Sequence, residues 1–167
     1  NARGHQIKTV WDGDETVIRF RPEPYHTSVP GFAYGGLIAS LVDCHSTGTA
    51  AAAMYRVEGR GLDTLPAFRF VTGSLHIDSL KPTPIDATIE IRGRVREIKG
   101  RKVVVETTVL AGGVVTARGK VVAVQMPESF AVVLPGQIGR VPASRRLRRL
   151  RWNDSSTING YRHPSNE

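Results

Sequence analysis

The chain has one cysteine, Cys44, in 167 residues. A lone thiol forms no internal disulfide and cannot supply a four-cysteine zinc site. No run of 18 consecutive apolar residues occurs, so no membrane-spanning helix is expected. Asn1–Lys8 are polar and do not resemble a secretory leader, which makes the cytoplasm the expected compartment. The five histidines (His5, His26, His45, His76 and His163) show no metal-ligand spacing such as HxxxH, so no metal is expected. Internal repeats and low-complexity blocks are also lacking. Hydrophobic residues make up 40% of the chain, enough for a packed core and against wholesale disorder. The length fits one domain with an appendage.

Acidic residues are the minority sign. There are 15 Asp/Glu against 23 Lys/Arg, for a formal net charge of +8 and a pI of about 10.2. A balance this basic raises a nucleic-acid reading, which depends on where the charge sits. Residues 1–139 hold 16 Lys/Arg and 13 Asp/Glu, a net of +3. Residues 140–167 hold seven Arg against Asp154 and Glu167, a net of +5. The expected organisation is a domain over 1–139 followed by a basic C-terminal tail over 140–167. Arg145, Arg146, Arg148, Arg149 and Arg151 crowd into seven residues of that tail. Such a segment is a solvated terminus, a phosphate-contacting arm, or a source of one or two Arg for an anionic ligand. No nucleic-acid fold signature accompanies it, so the solvated terminus leads and nucleic acid is not the expected partner.

Periodicity outlines the domain. Thr16–Phe20 alternates and reads as a short strand. Arg21–Gly31 contains three Pro and reads as an extended loop. From Ala33 to Glu58 there is no Pro, and Leu37, Leu41, Cys44 and Gly48 recur at helical spacing. Ile38, Val42 and the Ala50–Met54 run widen the apolar surface, which predicts a long buried helix ended by Gly59 and Gly61. Four β segments follow: Phe68–Leu80, Ile85–Ile98, Lys102–Leu110 and Val114–Met126. In the second, Ala87, Ile89, Ile91, Gly93 and Val95 share one face. A strand, a long helix, then four strands joined mostly as antiparallel hairpins predict an α+β layer, one helix on a curved antiparallel sheet. Long edge strands invite pairing, so a dimer that continues the sheet is expected.

Two features carry chemistry. Asp43 lies inside the most apolar helix, where a carboxylate is either a structural acceptor or a group whose basicity is used. Gly35 and Gly36 begin that helix, where unpaired N–H groups and the helix dipole polarise a carbonyl and glycine admits a ligand closely. Gly36 and Asp43 are seven residues apart, about two turns, and share a face. An oxyanion donor and a carboxylate on one face form an acyl-transfer arrangement. Cys44 is expected to be a small buried hydrophobe, His45 to make a hydrogen bond toward a partner subunit, and His76 to make a cross-strand polar contact.

Ala33–Ala50 (AYGGLIASLVDCHSTGTA) followed by Val71–Pro82 (VTGSLHIDSLKP) resembles the hotdog-fold acyl-CoA thioesterases of the phenylacetate-degradation (PaaI-like) type. The resemblance spans roughly Tyr25 to Met126. It implies hydrolysis of an acyl-CoA thioester to a carboxylic acid and free CoA. No cofactor is implied beyond the CoA of the substrate. It implies an active site at the interface of a homodimer, which in this fold also forms homotetramers. On the matching residues it implies Asp43 as base or nucleophile and Gly36 N–H as the thioester-carbonyl donor. Thr72 would position the water, often from the partner subunit, and Ser28, with His26 beside it, would help hold carbonyl or water. Tyr34 stands where the family usually has His, and Ser28 where it has an amide; Gly35 and Tyr34 join the substrate side of the expected site. These departures leave open a non-catalytic acyl-CoA-binding protein on the same scaffold. Met54 and Tyr55 are the expected determinants of acyl length.

Overall fold

The computed structural model describes residues 4–127. The 139/140 boundary and the Arg-rich segment lie outside them. The described chain runs β1 (Val10–Asp12), β2 (Glu15–Phe20), a 3-10 turn (Pro24–His26), β3 (Thr27–Val29) and β4 (Phe32–Ala33). It continues through α1 (Gly35–Val57), β5 (Phe70–Ser79), β6 (Ile89–Lys99), β7 (Lys102–Ala111) and β8 (Val114–Gln125). The α+β architecture expected from periodicity is present: α1 packs on a six-stranded curved sheet ordered β1-β2-β6-β7-β8-β5, with every pairing antiparallel. The chain over 21–31 is less extended than expected. It contains the 3-10 turn, and β3 and β4 pair as a small ribbon.

The sheet order departs from a plain run of hairpins. β6-β7-β8 is a meander, but β5 pairs with β8 rather than with its sequence neighbour β6. This leaves β5 as a ten-residue edge with Val71 and Leu75 exposed. The alternation in β6 holds: Ile89, Ile91 and Gly93 are buried, whereas Arg92, Arg94 and Arg96 lie on the outer face among Glu15, Glu90 and Glu106. Ile18, Leu37, Leu41, Ile91, Val109 and Val121 centre the core. Each such side chain contributes about 1.5–3 kcal/mol by leaving water.

The sheet covers the helix on one side only. Leu37, Leu41, Val42 and His45 are fully buried, but Gly36 and Cys44 are exposed and Ser40, Asp43 and Thr47 half-buried. Cys44 is therefore a surface residue and not the core hydrophobe expected. Its position on the helix turns it about 60° away from Leu41, beyond the edge of the sheet.

His45 also differs from expectation. It faces its own sheet, not a partner: Nδ1 pairs with Thr9 Oγ1 at 3.1 Å and Nε2 with Thr16 Oγ1 at 3.3 Å. Thr16 Oγ1 in turn pairs with Thr49 Oγ1 at 2.6 Å. A Cβ on Gly93 would come within 2.9 Å of both His45 Nε2 and Thr16 Oγ1, so this strand needs glycine there. Burial pulls the His45 pKa from 6.5 down to about 4, opposed in part by hydrogen bonding to the Thr16 backbone. Between those two pH values the unfolded chain binds the proton and the folded chain refuses it, so stability falls as pH drops from 6.5 to 4. The expected loss is roughly 3 kcal/mol over that window. Urea unfolding at several pH values checks it, and the dependence should shrink in His45→Gln.

Candidate active site

Tyr34 is the N-cap of α1, in extended backbone and without a side-chain capping bond. Leu37 N–H returns to Tyr34 O at 3.1 Å, which leaves the amides of Gly35 and Gly36 as the donors of the first turn without a partner among the described residues. Both glycines are exposed. The Tyr34 ring lies against the second of them: a Cβ on Gly36 would meet its Cε2 and Cδ2 at 2.9 and 3.1 Å. Tyr34 is thus a wall beside the donors. Its ring centroid is 6.4 Å from that of His26.

Asp43 is half-buried, on the helix flank that faces β5. Thr72, on β5, donates its hydroxyl to Asp43 Oδ1. This contact joins residues 29 apart within one chain, so Thr72 meets the Asp43 of its own subunit. The hydroxyl occupies one carboxylate oxygen and leaves the other to accept from water. Thr72 pairs with Ala123 just before a β-bulge between Thr72 and Ser74, and the bulge shifts the facing of the residues beyond it. The neighbouring Cys44 thiol is raised above its usual pKa, by partial desolvation first and by the Asp43 charge second. It is a poor nucleophile at neutral pH.

One chain does not unite the whole set. Gly36 and Asp43 are seven positions apart on the helix, about 10 Å along the axis. A carbonyl held at Gly36 and a water held at Asp43 must meet within about 3 Å. Ser28 is exposed on β3, with no hydrogen bond from its hydroxyl among the described residues.

Residues 30–118 match the thioesterase superfamily. The chain belongs to that superfamily. A crystal structure of a thioesterase superfamily protein from Shewanella loihica PV-4 is 46% identical, with a TM-score of 0.61 over 75% of this chain and 97% of that one. The E. coli PaaI protein from the phenylacetic acid degradation operon is 16% identical, with a TM-score of 0.61 over 75% of this chain and 83% of that one; at that identity the likeness is one of hotdog fold. Acyl-coenzyme A thioesterase THEM4 of Xenopus laevis is 37% identical over 87 residues, which are 52% of this chain and 33% of that protein. The match spans about a third of the curated relatives' length.

Within this thioesterase-superfamily domain, the two residues expected to set acyl length lie in the last turns of α1. Tyr55 is buried; its hydroxyl donates to Thr64 O and accepts from Phe68 N–H, both at 3.3 Å, which ties the helix end to the next loop. Met54 packs against the cluster of Ala50, Val103, Val105 and Ala123. His76 contacts Asp78 on its own strand at 3.2 Å, not across strands, because residues i and i+2 share a face. Sequence reading missed His5, whose Nε2 pairs with Ser40 Oγ at 2.8 Å. Ser40 lies between Gly36 and Asp43 on the helix, and only the fold brings the N-terminal segment there.

Proposed function

We propose that this domain is an acyl-CoA thioesterase of the PaaI-like type. The observation that carries the reading is the Thr72 hydroxyl donating to the Asp43 carboxylate beside a helix face that begins with unpaired glycine amides. The superfamily match and the acyl-CoA thioesterase relatives support it.

The 10 Å between Gly36 and Asp43 calls for two copies. A second chain added at the β5 edge, with its helix antiparallel to the first, sets one chain's Gly36 against the partner's Asp43. The small residues Gly36, Cys44 and Thr47 on the side of α1 away from the sheet allow two helices to approach. In this homodimer, itself able to pair into a tetramer, Gly36 N–H holds the thioester oxygen, with Gly35 and Tyr34 forming the mouth. Across the interface Asp43, oriented by Thr72, removes a proton from water. The water oxygen bonds to the carbonyl carbon, the C–S bond breaks, and CoA leaves as a thiolate that takes up the proton.

The deciding experiment is a panel of acyl-CoA esters of increasing chain length with a thiol-capture reagent. Thiol release is expected for at least one ester. Saturable binding with no thiol release would replace the enzyme with a non-catalytic acyl-CoA-binding protein. Thr72→Val should lower kcat about ten- to a hundred-fold, the worth of one hydrogen bond to a charged group, with KM little changed.

A further inference from the structure

A pocket opens beside the start of α1. Gly35 of the helix, Lys81 and Thr83 of the turn after β5, and Thr116 of β8 are among the residues that line it. No Asp or Glu does. Its one charge is Lys81, which makes no ion pair among the described residues. Thr83 is 5% exposed and Thr116 2% exposed, and neither hydroxyl has a hydrogen-bond partner among the described residues. A buried hydroxyl without a partner is destabilising, so two beside one pocket point to a ligand. Thr116 Oγ1 is sealed in the wall; Thr83 Oγ1 is not sealed in this way and is the one a ligand can reach.

The backbone holds these groups in place. Leu80 N–H and Lys81 N–H both donate to Thr116 O, at 2.8 and 3.0 Å. Ala33 N–H donates to Thr83 O at 2.9 Å, just before the helix begins at Gly35. Pinned on both sides, the turn keeps Lys81 and Thr83 beside the helix start. A Cβ on Gly35 would meet nothing within 4 Å, so the helix end is open there. Its amides and dipole favour an anion. A cation, a hydroxyl and a helix N-terminus with no acid among them together make an anion site.

An acyl-CoA carries negative charge on the CoA phosphates and, for some acids, on the acyl group. The pocket includes Gly35, the neighbour of the amide that holds the thioester oxygen in the proposed mechanism. The whole pantetheine arm separates a thioester from the first phosphate of CoA, whereas the far end of a short acyl chain lies within a few bonds of the carbonyl. We propose that this pocket holds a second carboxylate on the acyl group, so that the substrates are CoA thioesters of short dicarboxylic acids. Lys81 and Thr83 are then the specificity-determining residues, and hydrolysis yields the free diacid and the CoA thiol. The proposal rests on the acyl-CoA thioesterase reading and names its substrate class.

The test compares succinyl-CoA with butyryl-CoA on the full chain. The two have the same chain length and the same CoA, so whatever CoA contributes cancels in the ratio of their kcat/KM values. The wild type is expected to favour succinyl-CoA by about fivefold or more, because a site built for a polar group rejects the analogue that lacks it. Lys81→Met should lower the ratio about ten- to a hundredfold and Thr83→Val about tenfold, each removing a hydrogen bond to a charged group. Lys81→Arg keeps the charge and should keep most of the ratio. Lys81 is exposed, so its variants should fold, which melting curves check. A lysine that meets a CoA phosphate instead would weaken both esters alike. An unchanged ratio in Lys81→Met overturns the proposal, as does a wild type with a smaller preference or one that hydrolyses only esters lacking a second carboxylate. If the wild type releases thiol from no ester, the thioesterase reading falls, and the same two esters are compared by calorimetry as unhydrolysed ligands. Tighter binding of succinyl-CoA that Lys81→Met abolishes then supports the carboxylate site, while equal affinities, a preference that survives in Lys81→Met, or no binding by the wild type overturn it.

Discussion

Asp43→Asn is expected to lower kcat by about 10²- to 10⁴-fold, the usual contribution of a positioned general base. Asparagine has nearly the volume of aspartate, and its amide oxygen still accepts from the Thr72 hydroxyl, so packing and the local hydrogen bond persist. What disappears is the ability to take a proton from water. KM should change little, because the group acts on the water and not on the bound ester. The measurement is steady-state kinetics on the best ester of the panel, with a melting curve to show that the variant folds. Hydrolysis at the wild-type rate by a folded Asp43→Asn chain ends the mechanism proposed for this carboxylate. Because Gly36 and Asp43 of one site belong to different copies in the proposed dimer, mixing provides a second check. Inactive Gly36→Val and inactive Asp43→Asn chains, refolded together, should recover close to a quarter of the wild-type sites through heterodimers (a statistical expectation for random pairing with one intact site per heterodimer).

Gly119→Ala is expected to produce the largest loss of stability of any single added methyl in the described sheet. Gly119 lies on β8 opposite Thr107 on one side and Ile77 on the other, facing α1. A Cβ there would be 2.5 Å from Thr107 Oγ1 and 2.8 Å from Val42 Cγ1. Neither neighbour can yield easily: Val42 is fully buried on the helix, and Thr107 is 3% exposed on a central strand. Overpacking of this kind costs about 1–3 kcal/mol or more, and opening the helix–sheet spacing places the cost near the upper end. The control is Gly35→Ala, where nothing lies within 4 Å of the added carbon. It should remain within about 1 kcal/mol of wild type, since alanine favours the helix. Urea unfolding of both variants measures the difference. Equal midpoints would mean that the sheet adjusts to a side chain at Gly119 and that helix–sheet contact does not require glycine there.

Much of this architecture was legible in the residues. Strand alternation such as Ile89, Ile91 and Gly93 against Arg92 and Arg94, and the uninterrupted helical run from Gly35 to Val57, are local signals, since each period is set by backbone geometry within a few residues. Asp43 stood out as a carboxylate in an apolar helix, and the glycine pair, a weak signal alone, gained weight from its seven-residue spacing to Asp43 on one face. Other expectations failed where coverage decides the outcome. Cys44 sits one helical step from buried neighbours, yet a single sheet shields only one flank of α1, so Cys44 is exposed. The same limit explains His45: periodicity placed it on a face, but only packing made that face the inside of the chain's own sheet.

By itself the sequence determined the element types, the single helix on an antiparallel sheet, and the two residues about which chemistry can be built. The tertiary structure alone decided that β5 crosses to pair with β8 and become a long edge, that Thr72 meets Asp43 in its own chain, and that His26, in a loop read as extended, is a held imidazole at the helix start. The reason is range. Dihedral preference and side-chain alternation act over a few residues, whereas strand order, helix coverage and a hydrogen bond between residues 29 apart depend on how the buried faces pack together.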